Sequence, residues 1–402
     1  MIKKYHIIYL SYDGLTDPLG QSQILPYIYG LNKSSRLKFT IISFEKLKRI
    51  EKLEKELSNN NINWHHLRYT KKPPLLSTIW DIYKLKTLLL KIIKKDAVNL
   101  IHSRSYITSL VSLVLKKKYK IPFIFDMRGF YADERVDGKI WDLNSFIYRI
   151  IYKYFKVKEK EFMRFSNHII SLTNSGKKEI ESWNLPSQAP ITIIPCCTDA
   201  NLFQRKNIFY LRKELAIKPE DLVISYVGSI GTWYMLDEML LFFKALILKK
   251  KHAKFLLITR EDPEKIYLKA AEFNINNESI IVQSSDREMM PSYIGVSDFS
   301  IFFILPAYSK KASSPTKMGE IMNLGIPIIC NSGVGDVDEI MGNILPKLLV
   351  NDFNNKEYNR VIDFILNEFK LDSKKIIQIS HNYYSLNKGV NKYLDIYNKI
   401  LN

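Results

Sequence analysis

YHIIYLSYDGLTDPLGQSQILPYIYGLNKSSRLKFTIISF, residues 5–44, carries one repeat of the architecture. Residues 5–10 and 39–44 are short runs dense in Ile, Tyr and Phe, and residues 21–33 between them place apolar side chains at helical spacing. Strand runs that are apolar on both sides, joined through a helix, indicate parallel strands covered on both faces. The alternation continues with strand candidates at 63–69, 100–103, 123–127, 168–172 and 192–195. Helical stretches lie between them at 46–59, 77–95, 107–118 and 146–165.

A second series follows at 223–227, 255–259, 280–283, 299–305, 327–331 and 347–350. Two series in 402 residues predict an α/β chain of two Rossmann-like domains, because one core rarely grows to that size. The expected division is residues 1–205 and 206–380, with the joint between 198 and 219. Residues 381–402 are expected to form a C-terminal helix, at about 387–401, that returns to the first domain. Ligands of open parallel sheets lie beyond the carboxyl ends of the strands. The sheets are therefore expected to face a central cleft, lined by the loops at 11–23, 103–105, 128–137, 228–234, 260–263, 283–287, 306–320 and 332–339.

Charge is placed unevenly. Residues 1–205 hold 35 Lys/Arg against 18 Asp/Glu, and residues 206–402 hold 25 against 23. Basic runs at 46–55, 84–95, 116–120 and 153–164 share helical segments with Leu, Ile and Phe. That combination suits an anionic membrane surface, and no nucleic-acid partner is expected. No apolar run reaches the roughly 18 residues that span a bilayer. The start reads as a strand, not a leader, and the three cysteines cannot build a disulfide framework. The expected location is cytoplasmic, on the inner face of the membrane.

The chemistry concentrates in KKASSPTKMGEIMNLGIPIICNSGVGDVDE, residues 310–339. Ser314 and Thr316 offer hydroxyls, Pro315 fixes the chain before a helix, Lys317 lies on its first turn, and Glu320 follows three residues on. Such a helix start suits a diphosphate, and a glutamate one turn along suits ribose hydroxyls; alone, the pair reads equally as an i,i+3 contact. Gly20 and the Gly228-Ser229 turn allow backbone to approach a ligand, and Asp336 shapes a neighbouring loop. Arg260, at the end of a strand, is a phosphate cation or a solvated partner of Glu261. On the first domain Arg104, Asp126, Arg128 and Asp133 end or follow strands. The two arginines suit an acceptor phosphate, and Asp126 suits an attacking hydroxyl or a brace for Arg128. His102 reads as interior, and no metal site is expected.

SPTKMGEIMNLGIPII resembles the donor-binding helix of glycosyltransferase family 4, the retaining GT-B enzymes of bacterial polysaccharide and glycolipid assembly. IIPCCTDANLF, with Asp199 and Phe203, is similar to that family's inter-domain segment. YDGLTDPLGQSQILPY, VGSIGTWYMLDEM and FDMRGFYADER fit one of its subgroups. The resemblance implies a GT-B fold and transfer of a hexosyl-type unit from a nucleotide-diphosphate sugar, UDP-linked before GDP-linked, to a lipid-linked or polysaccharide hydroxyl. It also implies retention, no metal and no resident cofactor, with Arg260, Lys317 and Glu320 doing the catalytic work.

Two signatures depart from the family. Ala312 stands where the first glutamate of E-x7-E belongs, and Ser229 and Tyr234 replace the Arg and Lys of G-R-x4-K. The rivals are a nucleotide-sugar epimerase of the same fold and a basic binding protein with an inactive core.

Overall fold

The computed structural model describes residues 4–46, 50–205 and 208–402. Residues 1–3, 47–49 in the basic run at 46–55, and 206–207 in the expected joint lie outside the described residues. The chain divides into two compact units. Unit 1 comprises Met1–Pro195, Lys311–Ser313 and Leu386–Asn402; unit 2 comprises Cys196–Lys310 and Ser314–Ser385.

Unit 1 is built on seven parallel strands: β1 (Tyr5–Ser11), β2 (Leu37–Glu45), β3 (Asn63–Arg68), β4 (Leu100–Arg104), β5 (Phe123–Asp126), β6 (His168–Ser171) and β7 (Ile191–Ile193). Their order is β3-β2-β1-β4-β5-β6-β7. The order of strand addition reverses between β1 and β4, where Leu10 pairs with Ser103 and Ser11 with Arg104. The helices are α1 (Pro18–Gln23), α2 (Leu25–Asn32), α3 (Glu51–Asn59), α4 (Leu76–Lys95), α5 (Ser105–Tyr119), α6 (Tyr131–Asp137), α7 (Phe146–Phe165) and α8 (Asn174–Ser182). Right-handed crossovers put α1 to α3 on one face of the sheet and α4, α5 and α7 on the other. On that second face α5 packs against both α4 and α7.

Unit 2 has six parallel strands: β8 (Leu222–Val227), β9 (Ala253–Ile258), β10 (Ile280–Gln283), β11 (Phe299–Phe302), β12 (Ile328–Asn331) and β13 (Leu349–Val350). They run β10-β9-β8-β11-β12-β13, so the reversal falls between β8 and β11. Their helices are α9 (Ile208–Glu214), α10 (Leu236–Lys249), α11 (Pro263–Glu272), α12 (Met290–Gly295), α13 (Thr316–Asn323), α14 (Val337–Ile344), α15 (Asn355–Asn367) and α16 (Ser373–Tyr384). The last helix, α17 (Leu386–Leu401), packs on α2 of unit 1.

Each sheet is sealed by its own apolar cluster, with Phe44, Phe123, Phe125 and Phe162 in unit 1 and Phe242, Phe255 and Phe303 in unit 2. Burial of this apolar surface is the main force that holds each layer. Two expected elements differ. The helix expected at 21–33 is two helices that meet at Ile24, because Pro26 has no N–H to carry the helical ladder through. The strand expected at 299–305 ends at Phe302, where Ile304 N–H bonds to Asn331 Oδ1 instead of continuing the ladder.

Candidate active site

In unit 2 the loops after β8, β9, β10 and β12 all leave the carboxyl edge of the sheet, and α13 begins beside them. Lys317, on the first turn of α13, is buried. Its Nζ donates to Tyr226 Oη at 3.3 Å and lies 3.5 Å from the centre of the Tyr234 ring. Burial pushes its pKa well below that of a free lysine, and Glu320 only partly opposes this. Gly228 makes room for it. At φ +129° this residue takes a backbone shape that favours glycine, and a Cβ there would sit 2.9 Å from Nζ.

Glu320 is buried one turn further along α13 and accepts from Arg287 Nη1 at 2.5 Å. Burial raises its pKa, with Arg287 and Lys317 opposing. The Arg287 guanidinium lies 4.8 Å above the Phe203 ring. Lys310 is also buried, its Nζ 3.5 Å from the centre of the Trp233 ring. Adjacent aromatic residues, Trp233 and Tyr234, thus hold two buried lysines by their ring faces. Tyr234 also lines an open cleft of about 570 Å³ with Gly231, Glu261 and Lys265. Arg260 is exposed and makes no ion pair among the described residues.

The other donor-side candidates take different places. Ser314 Oγ accepts from Cys196 N–H at 3.2 Å, Pro315 occupies the N-cap position of α13 without a side-chain cap bond, and Thr316 is its first residue. Ser229 is exposed and accepts Tyr226 Oη–H through its carbonyl. Asp336 is the N-cap residue of α14. Gly20 lies in unit 1, where a Cβ would stand 2.2 Å from Gly14 O, so close packing of its own loop demands the glycine. That loop's donors are satisfied by Glu45, which accepts from Leu15 N–H at 2.7 Å and Thr16 N–H at 3.1 Å. Ala312 is fully buried in the apolar cluster of unit 1. Its Cβ would meet a Cβ added at Gly176 at 2.9 Å, a position with no space for a carboxylate.

In unit 1 the ends of β4 and β5 hold a second polar cluster. Asp126, fully buried, accepts from Tyr393 Oη–H at 3.1 Å and lies 3.7 Å from Arg128 Nη1. Burial alone would raise its pKa, but Arg128, His102 and Arg104 outweigh it and hold it at about 2. His102 Nδ1 lies 2.7 Å from Tyr397 Oη, and burial lowers its pKa, so it is an interior residue. Arg104 is 3% exposed, and its Nε lies 3.5 Å from Asp13 Oδ2. Its Nε and Nη1 are buried without a hydrogen-bond partner. Ser105 (φ +68°) and Arg128 (φ +60°) adopt left-handed backbone here, a strain that clusters at functional sites. Asp133 stands apart, with its oxygens taken by Tyr152 and Lys156 at 2.8 and 2.7 Å in a network that ties α6 to α7.

The sequence reading missed Arg287, Tyr226, Lys310, Tyr393 and Tyr397. For Arg287 a signal existed: its loop follows a strand at the carboxyl edge. The tyrosines of α17 gave none.

With these two clusters placed, residues 207–381 match the family model of glycosyl transferases group 1, and residues 38–202 match that of glycosyltransferase family 4. Both halves of the chain thus match glycosyltransferase family models, on a GT-B fold. Among solved structures, this GT-B glycosyltransferase is similar to sucrose-phosphate synthase (tll1590) from Thermosynechococcus elongatus, with TM-score 0.76, 12% identity and 99% of each chain covered. It also resembles Anabaena Alr3699/HepE, solved in complex with UDP and glucose, with TM-score 0.71, 11% identity, and 98% and 99% of the two chains covered. A glycosyltransferase from Rickettsia africae ESF-5 gives TM-score 0.71 at 19% identity over 99% of both chains. These likenesses concern the fold. No curated protein matches the sequence. Among the described residues no group of His, Cys, Asp or Glu is placed to hold a metal ion, and no helix is long and apolar enough to cross a membrane.

Proposed function

We propose that this GT-B glycosyltransferase moves a sugar from a nucleotide-diphosphate sugar to a hydroxyl of a lipid-linked or polysaccharide acceptor, with retention and without a metal. The observation that carries the reading is the buried ammonium of Lys317, held over Tyr234 and next to the uncapped start of α13. A lysine kept out of water, with Glu320 offsetting only part of the cost, is destabilising by itself. A diphosphate supplies the missing negative charge.

In this reading Lys317 and the α13 N–H groups hold the diphosphate, with Lys310 and Arg260 adding positive charge. Glu320, oriented by Arg287, accepts the ribose hydroxyls. As the anomeric C–O bond breaks, negative charge gathers on the departing diphosphate, where these fixed groups stabilise it. The acceptor oxygen forms the new C–O bond, and its proton passes to the departing diphosphate oxygen. Tyr234, where the family has a cation, gives Lys317 an aromatic floor. Charge at the site therefore comes from α13 and not from the turn after β8. In unit 1, Arg104 and Arg128 hold the acceptor's phosphate, and Asp126 braces Arg128.

UDP-sugar is the favoured donor, since HepE is known bound to UDP-glucose. A panel of UDP- and GDP-sugars, assayed for nucleotide release with and without polyprenyl-phosphate-linked acceptors, tests the reading. Release that needs an acceptor, survives EDTA and gives product of the donor's anomeric configuration supports it. Conversion of a UDP-sugar to its epimer without acceptor would support the epimerase instead.

A further inference from the structure

We propose that the face of unit 1 formed by α4, α5 and α7 docks on an anionic lipid bilayer. The proposal does not depend on the donor or the reaction.

An α/β crossover helix normally turns its apolar stripe to the sheet and a charged face to water. On α7 the outward side is apolar. Phe146, Ile147, Ile150 and Val157 are 72%, 58%, 52% and 60% exposed, and Tyr154 joins the same stripe. The positions 146, 147, 150, 154 and 157 follow helical spacing, so they form one ridge over three turns. The inward side of the helix is already occupied by Phe155, Phe162 and Met163, so the ridge is surplus to the core.

The same is true of α4. Leu76, Ile79, Trp80 and Tyr83 are exposed on its first two turns, and the Trp80 and Tyr83 rings stack at 5.5 Å. Both ridges begin at the helix N-terminus. In a parallel sheet that end lies at the carboxyl edge, the edge that carries Arg104 and Arg128. A docked bilayer would therefore meet unit 1 beside its candidate acceptor groups.

Charge selects the occupant. The other exposed positions on α7 include Arg149, Lys153, Lys160 and Arg164, and those on α4 include Lys86, Lys91, Lys94 and Lys95. No Asp or Glu is exposed on either helix. Between them α5 ends in exposed Lys117 and Lys118, with exposed Lys120 as its C-cap. A protein partner or a second copy of this basic chain would have to bring a dense acidic surface to the ridge. An anionic leaflet offers negative headgroups and hydrocarbon together, which matches Arg149 and Lys153 beside the α7 ridge and Lys86 one turn from Tyr83 on α4.

The experiment is co-sedimentation of the whole chain with phosphatidylcholine vesicles containing about 25% phosphatidylglycerol, and with pure phosphatidylcholine. The variants are Phe146→Ser/Ile150→Ser, Trp80→Ser, and Lys153→Glu/Lys160→Glu, each checked for unchanged thermal unfolding. The wild type is expected to bind only the anionic vesicles, and more weakly as NaCl rises from about 0.05 to 0.5 M. Each variant is expected to lower partitioning about tenfold or more, with nucleotide binding unchanged. No binding by the wild type, or equal binding by the variants, overturns the proposal. So does a wild-type dimer that the two apolar variants convert to monomer, which would assign the face to a second copy.

Discussion

The Nζ of Lys317 lies 3.5 Å from the centre of the Tyr234 ring and 4.3 Å from that of Tyr226, and forms no ion pair among the described residues. The aromatic faces and one hydroxyl replace only part of the hydration that the ammonium gives up. Lys317→Met is therefore expected to leave thermal unfolding unchanged or to raise it, since an apolar chain of similar length suits a buried site. The same variant is expected to weaken nucleoside diphosphate binding about 100-fold, near 3 kcal/mol, the scale of a charge-assisted contact. Differential scanning fluorimetry with and without nucleotide reads both effects.

The depressed pKa of Lys317 fixes the sign of a pH effect. A lysine lowered in the folded state costs stability as pH falls from its unfolded pKa through the folded one. A bound diphosphate raises that pKa again, so binding takes up a proton at pH values between the two. Affinity is then expected to weaken as pH rises above the free-state pKa. Calorimetry in buffers of different ionisation enthalpy should show proton uptake in the wild type and none from this site in Lys317→Met.

Glu320 is buried and held by Arg287 at 2.5 Å, so one carboxylate oxygen is committed before a ligand arrives. The other is assigned to ribose. Glu320→Ala is expected to cost about 1–3 kcal/mol in UDP affinity. A 2′-deoxy nucleotide should lose affinity for the wild type but show little further loss with the variant. Equal losses in both proteins would remove Glu320 from the ribose.

Asp126 gives unit 1 an acid limb. Its pKa of about 2 lies below the ordinary 3.8, so its contribution is complete above 3.8 and lost as pH falls from 3.8 to 2. The expected size is about 2 kcal/mol. His102, whose folded pKa is also lowered, adds a loss that begins nearer its ordinary 6.5. Urea unfolding between pH 4 and 2 should show the Asp126 limb in the wild type and a flatter curve in Asp126→Asn.

Arg104 offers two buried nitrogens without hydrogen-bond partners. Arg104→Met is expected to raise KM for a phosphate-bearing acceptor at least about tenfold while donor affinity stays put, because the lost contact would be charge-assisted. Steady-state kinetics with the acceptor varied separates this from a fall in kcat.

Most of the sheet was legible because parallel strands are written as nearly continuous apolar runs. Residues 280–283 and 146–165 fall on β10 and α7 to the residue. The helix at 21–33 misread because its amphipathic period runs across Pro26. Lys317 and Glu320 were legible because both lie on one helix, where spacing sets geometry. Arg287 was marked only by its loop, and its pairing with Glu320 was not legible, because the turn after β10 brings the two together across 33 residues. Tyr393 and Tyr397 lie on the helix expected near 387–401, whose spacing does not say what their hydroxyls meet. Only the packing of α17 in unit 1 shows that their hydroxyls meet Asp126 and His102. Ala312 was noted as a missing glutamate, and its burial in the cluster of unit 1 explains why no carboxylate stands there.

Calorimetric titration of UDP and GDP into the wild type, Lys317→Met and Arg104→Met tests the central claim most directly. The account predicts that one of these nucleotides binds the wild type and Arg104→Met alike and binds Lys317→Met about 100-fold more weakly. Absence of binding to the wild type, or an unchanged affinity in Lys317→Met, would contradict it.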